Sequence, residues 1–288
     1  MMTISKTLIH ALAAFESIRT PGKITAALRA GGEGALEAAF EHLDAATRID
    51  IEVKAAALDR DGIGVVIFGN DDFPESLVVN GKPLMPIIFH KGNKELLYAD
   101  GVGMCGSRHV SPQGLHAADR CGVAVSNHDL TIISGYAQGV DTATHLAALR
   151  SGGRTVIVLA EGIDFFRIKR DFAEDFDPDR TLVLSQFAPT QTWQAHAAMA
   201  RNAIIFGLSK ALVVIEAGEK GGTLAAGEGA MKIGRPVFVL DFGERTPPGN
   251  KILLDKGARA IATPKDLQAA LDRVAETPST QDTSASLF

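Results

Sequence analysis

The chain has 288 residues, 46% hydrophobic and 22% charged, with 29 Gly and 12 Pro. That composition is globular and too apolar for a largely disordered chain, and the length allows one large domain or one medium domain with a small appendage. Twenty-nine basic against 34 acidic residues give a formal net charge of -5, which excludes a wholesale basic surface, so any nucleic-acid binding must use a local patch.

Residues 1 to about 58 read as a small helical region poor in strands. Ile4, Leu8, Leu12, Phe15 and Ile18 recur at three or four, the pattern of an amphipathic helix. Pro21-Gly22 should break that helix, and Gly31-Gly32 with Gly34 the next. No A-x-A cleavage site follows the start and no run of about 18 uncharged apolar residues occurs, so neither export nor a membrane span is expected. Cys105 and Cys121 are too few for a disulfide scaffold, and no CxxC zinc spacing exists. They read as reduced thiols of a cytoplasmic protein, buried as small apolar groups.

From about residue 60 the pattern changes to short β-branched runs. VVIF (65–68), PIIFHKG (86–92), GVGMC (101–105), LTIIS (130–134), TVIVLA (155–160), TLVLS (181–185), ALVVIEA (211–217) and PVFVLD (236–241) follow in series. From GVGMC onward about 15 to 25 residues, mostly of helical periodicity, separate successive strands. Continuous apolar strands alternating with helices predict a doubly wound, mostly parallel sheet covered on both faces. Right-handed crossovers should then put the carboxyl ends of all the strands on one edge. The expected units are a helical region over 1–58, the α/β domain over 59–276 and a disordered tail over 277–288, where the residues are small and polar.

Glycine follows strand after strand: Gly106-Ser107-Arg108, then Gly135 with Gln138-Gly139, then Glu161-Gly162, then Gly218 with Gly221-Gly222-Thr223. Several such loops at helix starts on one edge would form an anion-binding crevice. Neither the strict dinucleotide fingerprint nor the Walker A pattern is present. Arg108 suits phosphate recognition, or else a surface ion pair. Arg201-Asn202 could hold a phosphate and read a base edge or sugar, or cap the sheet edge. Lys169 and Arg170, with Arg167, could add phosphate contacts, or form a solvated loop balanced by Asp171, Glu174 and Asp175. Asp141 and His145 share a helix face, and a structural pair is the favoured reading over a proton relay or half a metal site. Trp193 and Phe187 could stack a base or pack as a lid. No metal or cofactor is expected.

The ordered set of motifs resembles the DprA/Smf DNA-processing family over about 70% of the chain, residues 60 to 262. The matching pieces are DFPESL (72–77), MCGSRHVSPQG, then Ser134, Gly135, Ala137, Gly139, Asp141 and His145 in an SGxAxGxDxxxH pattern. GGRTVIVLAEGID, RNAIIFGLSKALVVIEA, GGTLAAGEGAMKIGRPVFVL and GNKILLDKGARAI follow in order. The resemblance implies an extended Rossmann-like fold that binds single-stranded DNA without being an enzyme, loads the recombinase RecA during transformation and works as a homodimer. The family pocket maps onto Arg108, Gly135, Gly139, Arg201 and Asn202. A second Arg usual after Arg-Asn is Ala203, and Ser-Glu after the fourth strand is Ser185-Gln186. The C-terminal winged-helix domain of many members is not expected here. Two alternatives stay open: a regulatory or phage-defence protein sensing DNA or nucleotide, and a nucleotide phosphoribohydrolase. For the latter, Gly221-Gly222-Thr223 fits in part, but Ala226 stands where the acid belongs and Glu228 lies two further on.

Overall fold

The computed structural model describes residues 5–277. Ile4 and all but the first residue of the expected tail lie outside that range. Helix α1 (Lys6–Ala13) runs on through a wider turn to Ile18, where Arg19 takes a positive φ. Pro21 opens α2 (Pro21–Glu41), which bends at Gly32 instead of stopping. Helix α3 (Ala45–Arg60) starts on Asp44, whose carboxylate accepts the Thr47 N–H at 3.0 Å.

The sheet comprises β1 (Ile63–Ile67), β4 (Ile87–Gly92), β5 (Gly101–Cys105), β6 (Thr131–Gly135), β7 (Arg154–Val158), β8 (Thr181–Ser185), β9 (Ala211–Val214), β10 (Val237–Leu240) and β11 (Arg259–Ile261). A two-residue hairpin, β2 (Val78–Val79) with β3 (Lys82–Pro83), stands apart. The order is β1-β4-β8-β7-β6-β5-β9-β10-β11. All neighbours from β8 to β11 pair in parallel, but β4 is antiparallel to both β1 and β8. The carboxyl end of β4 therefore points to the opposite edge, correcting the expectation that all of them share one.

Alternation along the strands serves two cores. Cys105, Ile133, Val156, Leu212 and Val239 face one way. Met104, Ile132, Val213 and Phe238 face the other. The first face is covered by α7 (Asn202–Leu208), α8 (Gly222–Lys232) and α9 (Pro248–Asp255). The second is covered by α4 (Pro112–Asn127), α5 (Val140–Arg150) and α10 (Pro264–Glu276). Helix α6 (Ala195–Ala200) leads directly into α7. The helical region packs Leu8, Ile24, Leu36 and Ile51 onto Ile67, Ile87 and Phe89, so its core is continuous with the β1–β4 end of the sheet. Between β7 and β8 the chain makes only 3-10 turns, at Ile163–Phe165 and Arg170–Phe172, in place of a crossover helix.

The chain reverses its winding at β5. From there it passes to β6 and β7 on one side, and returns to β9 and β10 on the other. Loops leaving β5 and β9 diverge to opposite faces, and a crevice opens between them at the carboxyl edge.

Candidate functional site

Two adjoining hollows of about 430 and 290 Å3 occupy that edge and share Arg108, Ala137, Trp193 and Arg201. Together they form one open groove over the ends of β5, β6, β7 and β9. Four cations line it (Arg108, Lys169, Arg201 and Lys220) against two carboxylates, Asp141 and Glu161. A local excess of positive charge thus sits on a chain whose total is -5.

Three of the polar residues expected to meet a ligand, Arg201, Asn202 and Thr223, tie the loops to one another. Arg201 is 7% exposed. It donates to Asp141 Oδ2 at 3.3 Å and to the Val158 carbonyl at 3.2 Å. Its Nε has no acceptor among the described residues. The guanidinium lies flat over Gly135, where a β-carbon would overlap Nη1, Nη2 and Cζ. Gly135 is therefore required by the arginine packed on it. Asp141 also accepts from Ser134 Oγ at 3.1 Å and the Ala137 N–H at 3.2 Å. The same single Ser134 hydroxyl proton is shared with the Met104 carbonyl, 2.8 Å from Oγ, which joins β6 to β5.

Asp141 and His145 share a helix face but are not hydrogen-bonded to each other. The His145 ring lies between Thr155 Oγ1 at 2.5 Å and the Gly135 carbonyl at 2.6 Å. Its complete burial lowers its pKa to about 4, so the ring is neutral. Among the described residues no group of three His, Cys, Asp or Glu side chains could hold a metal ion.

The remaining loops are tied in the same way. Asn202, nearly buried, donates to the Gly222 carbonyl at 3.1 Å. Thr223 Oγ1 donates to the Gly106 carbonyl at 3.1 Å, linking the loop after β9 to the loop after β5. Gly221, just before α8, and Gly139, just before α5, both take positive φ. At Gly139 the Ser107 and Arg108 carbonyls pass so close that a side chain would collide with them, and the Val140 N–H donates to Ser107 O at 3.3 Å.

Two struts carry no signal that site-reading could use. Glu216, just past β9, is buried and accepts the Ser111 N–H at 3.0 Å as well as the Ser111 hydroxyl, fixing the start of α4. Asn250 is wholly buried. It accepts the Ala217 N–H at 2.7 Å and donates to the Ile215 and Leu240 carbonyls at 2.9 and 2.8 Å. Both stand in motifs quoted above, yet nothing local in the sequence separates a strut from a ligand contact.

What faces outward is a smaller set. Arg108, Gln138 and Lys220 are exposed. Trp193 is half exposed, with the Arg108 guanidinium carbon 5.7 Å from its ring centre. Lys169 lines the smaller hollow with Nζ 3.9 Å from the Tyr136 ring centre and bonded to the Tyr136 carbonyl. Burial pulls its pKa down, and burial likewise raises that of Glu161 across the same hollow. Arg170 is exposed and lines neither hollow. Phe187 is half-buried and also stays out of both. Cys105 and Cys121 are buried, and burial raises both thiol pKa values, that of Cys121 to about 12. Glu228, the displaced acid of the hydrolase alternative, is paired with Lys256 on the α9 side and lines neither hollow.

Comparison with known proteins agrees with this architecture. The DNA processing protein DprA of Streptococcus pneumoniae is 35% identical over 189 residues, covering 65% of this chain and 67% of that protein. The DprA of Bacillus subtilis is 29% identical over 217 residues, covering 74% and 72%. The X-ray structure of the Streptococcus pneumoniae protein superposes with a TM-score of 0.71 at 28% identity, over 93% of this chain and 98% of that one. DNA processing protein A from Helicobacter pylori, studied for its single-stranded DNA binding mode, superposes at 0.62 and 22% identity, over 73% and 95%, and so shares the fold. The family model described as DNA recombination-mediator protein A matches residues 48–272, and the chain belongs to this DprA/Smf family of DNA-processing proteins.

Proposed function

We propose that the chain binds single-stranded DNA along the groove at the carboxyl edge and acts by binding, not catalysis. The observation that carries this reading is the pairing of an exposed guanidinium, Arg108, with a half-exposed indole, Trp193, above glycine loops and the amino-terminal end of α8. Stacking surface beside a cationic, backbone-lined trough is the general requirement for holding a single strand. Phosphates would meet Arg108, Lys220 and the α8 amino end. A base would stack on Trp193. Arg201, with its charge matched to Asp141, would shape the trough from beneath and contribute field more than contact.

The groove's chemistry supports a binding role. His145, beneath the groove, is buried and neutral, the one thiol that lines the groove, Cys105, is buried, and the acid nearest to a hydrolase pattern is engaged elsewhere. By resemblance to its family, the bound strand is passed to RecA, and the working unit is a homodimer in the cytoplasm. No helix among the described residues is long and apolar enough to cross a membrane. Sedimentation and a RecA pull-down test those last two readings.

The deciding experiment for the groove is a titration with a fluorescent oligonucleotide at several salt concentrations. Each phosphate contact contributes about 0.7 to the slope of log affinity against log salt for a single strand. Arg108→Ala should reduce both affinity and slope; an unchanged slope would remove Arg108 from the interface.

A further inference from the structure

A second hollow of about 550 Å3 lies at the opposite, amino-terminal edge of the sheet. It is separated from the groove by a strand length, about 17 Å for five residues. Asp100, Lys210, Pro236 and Arg259, which line it, stand at the starts of β5, β9, β10 and β11. The segment before β2 closes one side with Glu75 and Ser76, and α10 closes the other with Arg273.

Its charges do not balance. Of four cations in the wall only Lys210 meets a carboxylate, that of Asp100 at 2.6 Å, and the same ammonium donates to the Thr277 carbonyl at 2.6 Å. Arg235, Arg259 and Arg273 have no carboxylate partner among the described residues. Arg235 donates to the Ser76 and Gly207 carbonyls at 3.2 and 2.9 Å, and its buried Nε finds no acceptor. Arg273 gives Nε to the Ala269 carbonyl at 2.9 Å, and Arg259 lies with its guanidinium carbon 5.9 Å from the Phe238 ring centre. Both are exposed and line the same hollow. The same hollow carries an apolar share of wall from Leu97, Tyr98, Leu208 and Pro236.

We infer that this hollow is a nucleoside phosphate site, with Arg259 and Arg273 holding the phosphates and the Tyr98–Leu208–Pro236 wall receiving the base. Guanidinium forks match phosphate oxygens in a bidentate way, and an anion here offsets positive charge that the protein leaves uncompensated. The volume falls in the range of small-molecule sites, and a bare inorganic anion would leave the apolar wall uncovered. The site is separate from the groove and does not depend on its function.

Calorimetric titration of the full chain with ADP tests the inference. Saturable binding to one site is expected, weakened at least tenfold by the double variant Arg259→Ala, Arg273→Ala and unchanged by Arg108→Ala. Pyrophosphate, which carries the charge without the base, should bind more weakly than ADP. The lysine double variant keeps the charge without the forks and should bind with intermediate affinity. It serves as the test if the alanine variant does not fold. No saturable binding at millimolar ADP, or binding lost with Arg108→Ala and kept in the double variant, would overturn the site. Equal binding of pyrophosphate would overturn the role of the apolar wall. Displacement of ADP by a 5′-phosphorylated oligonucleotide in the Arg108→Ala background would make the ligand a strand end instead of a free nucleotide.

Discussion

Gly135→Ala is the substitution that most sharply separates a glycine kept for ligand approach from one kept for packing. A β-carbon at this position would overlap the Arg201 guanidinium, so the arginine must leave its seat. It would lose the Asp141 carboxylate at 3.3 Å and the Val158 carbonyl at 3.2 Å. Breaking a buried ion pair by removing one partner costs about 3–5 kcal/mol. Here the arginine is displaced toward an open groove, where water can solvate it, so about 3 kcal/mol is the working figure. For a chain of this size that is about 6–12 °C in Tm. Gly222→Ala is the matched control. It lies in the same groove, but the nearest atom to its β-carbon is Asn202 Nδ2 at 3.9 Å. Its stability should change by no more than about 0.5 kcal/mol, as at surface positions. Thermal and urea denaturation followed by circular dichroism would measure both. If Gly135→Ala proves as stable as Gly222→Ala, Arg201 is not the strut described.

Other consequences follow from buried polar groups. Asn250→Ala leaves the Ala217 N–H and two carbonyls unpaired, and should cost about 2–4 kcal/mol in a urea titration. His145, and His90 on β4, are held neutral by burial, each with its pKa lowered to about 4. The unfolded chain binds their protons near pH 6.5 and the native chain does not. The stability they confer is therefore full above about pH 6.5 and falls as pH drops toward 4, by about 3 kcal/mol per group. A Gln at either position should flatten that part of the stability–pH curve. Both cysteines should resist thiol reagents in the native protein at pH 8 and react promptly in denaturant, because burial keeps them protonated and enclosed.

The sequence revealed the architecture because strand runs and helical spacers have different periods, and because glycine repeatedly marks the strand exits. It did not reveal the direction of β4, since an apolar run such as PIIFHKG reads the same whichever way it is laid beside its neighbour. Strand β11 was missed because three residues, two of them exposed, carry no pattern. Between β7 and β8 the chain forms 3-10 turns instead of a crossover helix, and it uses Phe172 to cover the end of α5, a contact that exists only in the folded chain.

At the site, spacing located Arg108, Gly139 and Gly221-Gly222 correctly at the carboxyl edge. It could not tell inward from outward. Arg201 pairs with Asp141 across sixty residues of sequence, a relation that exists only once the start of α5 meets the α6–α7 junction. For the same reason Asp141 and His145, neighbours on one helical face, serve different partners. Arg170 is a case of proximity in sequence without proximity in space: Lys169 turns into the smaller hollow, and the residue after it turns away.

The most direct test of the central claim uses the single tryptophan of the chain, Trp193. Titration with an unlabelled oligonucleotide should quench or shift its fluorescence in step with binding. Trp193→Ala should cost about 1–3 kcal/mol of affinity while leaving the fold intact. Binding that leaves Trp193 fluorescence untouched, with Trp193→Ala at full affinity, would mean that the strand does not lie in this groove.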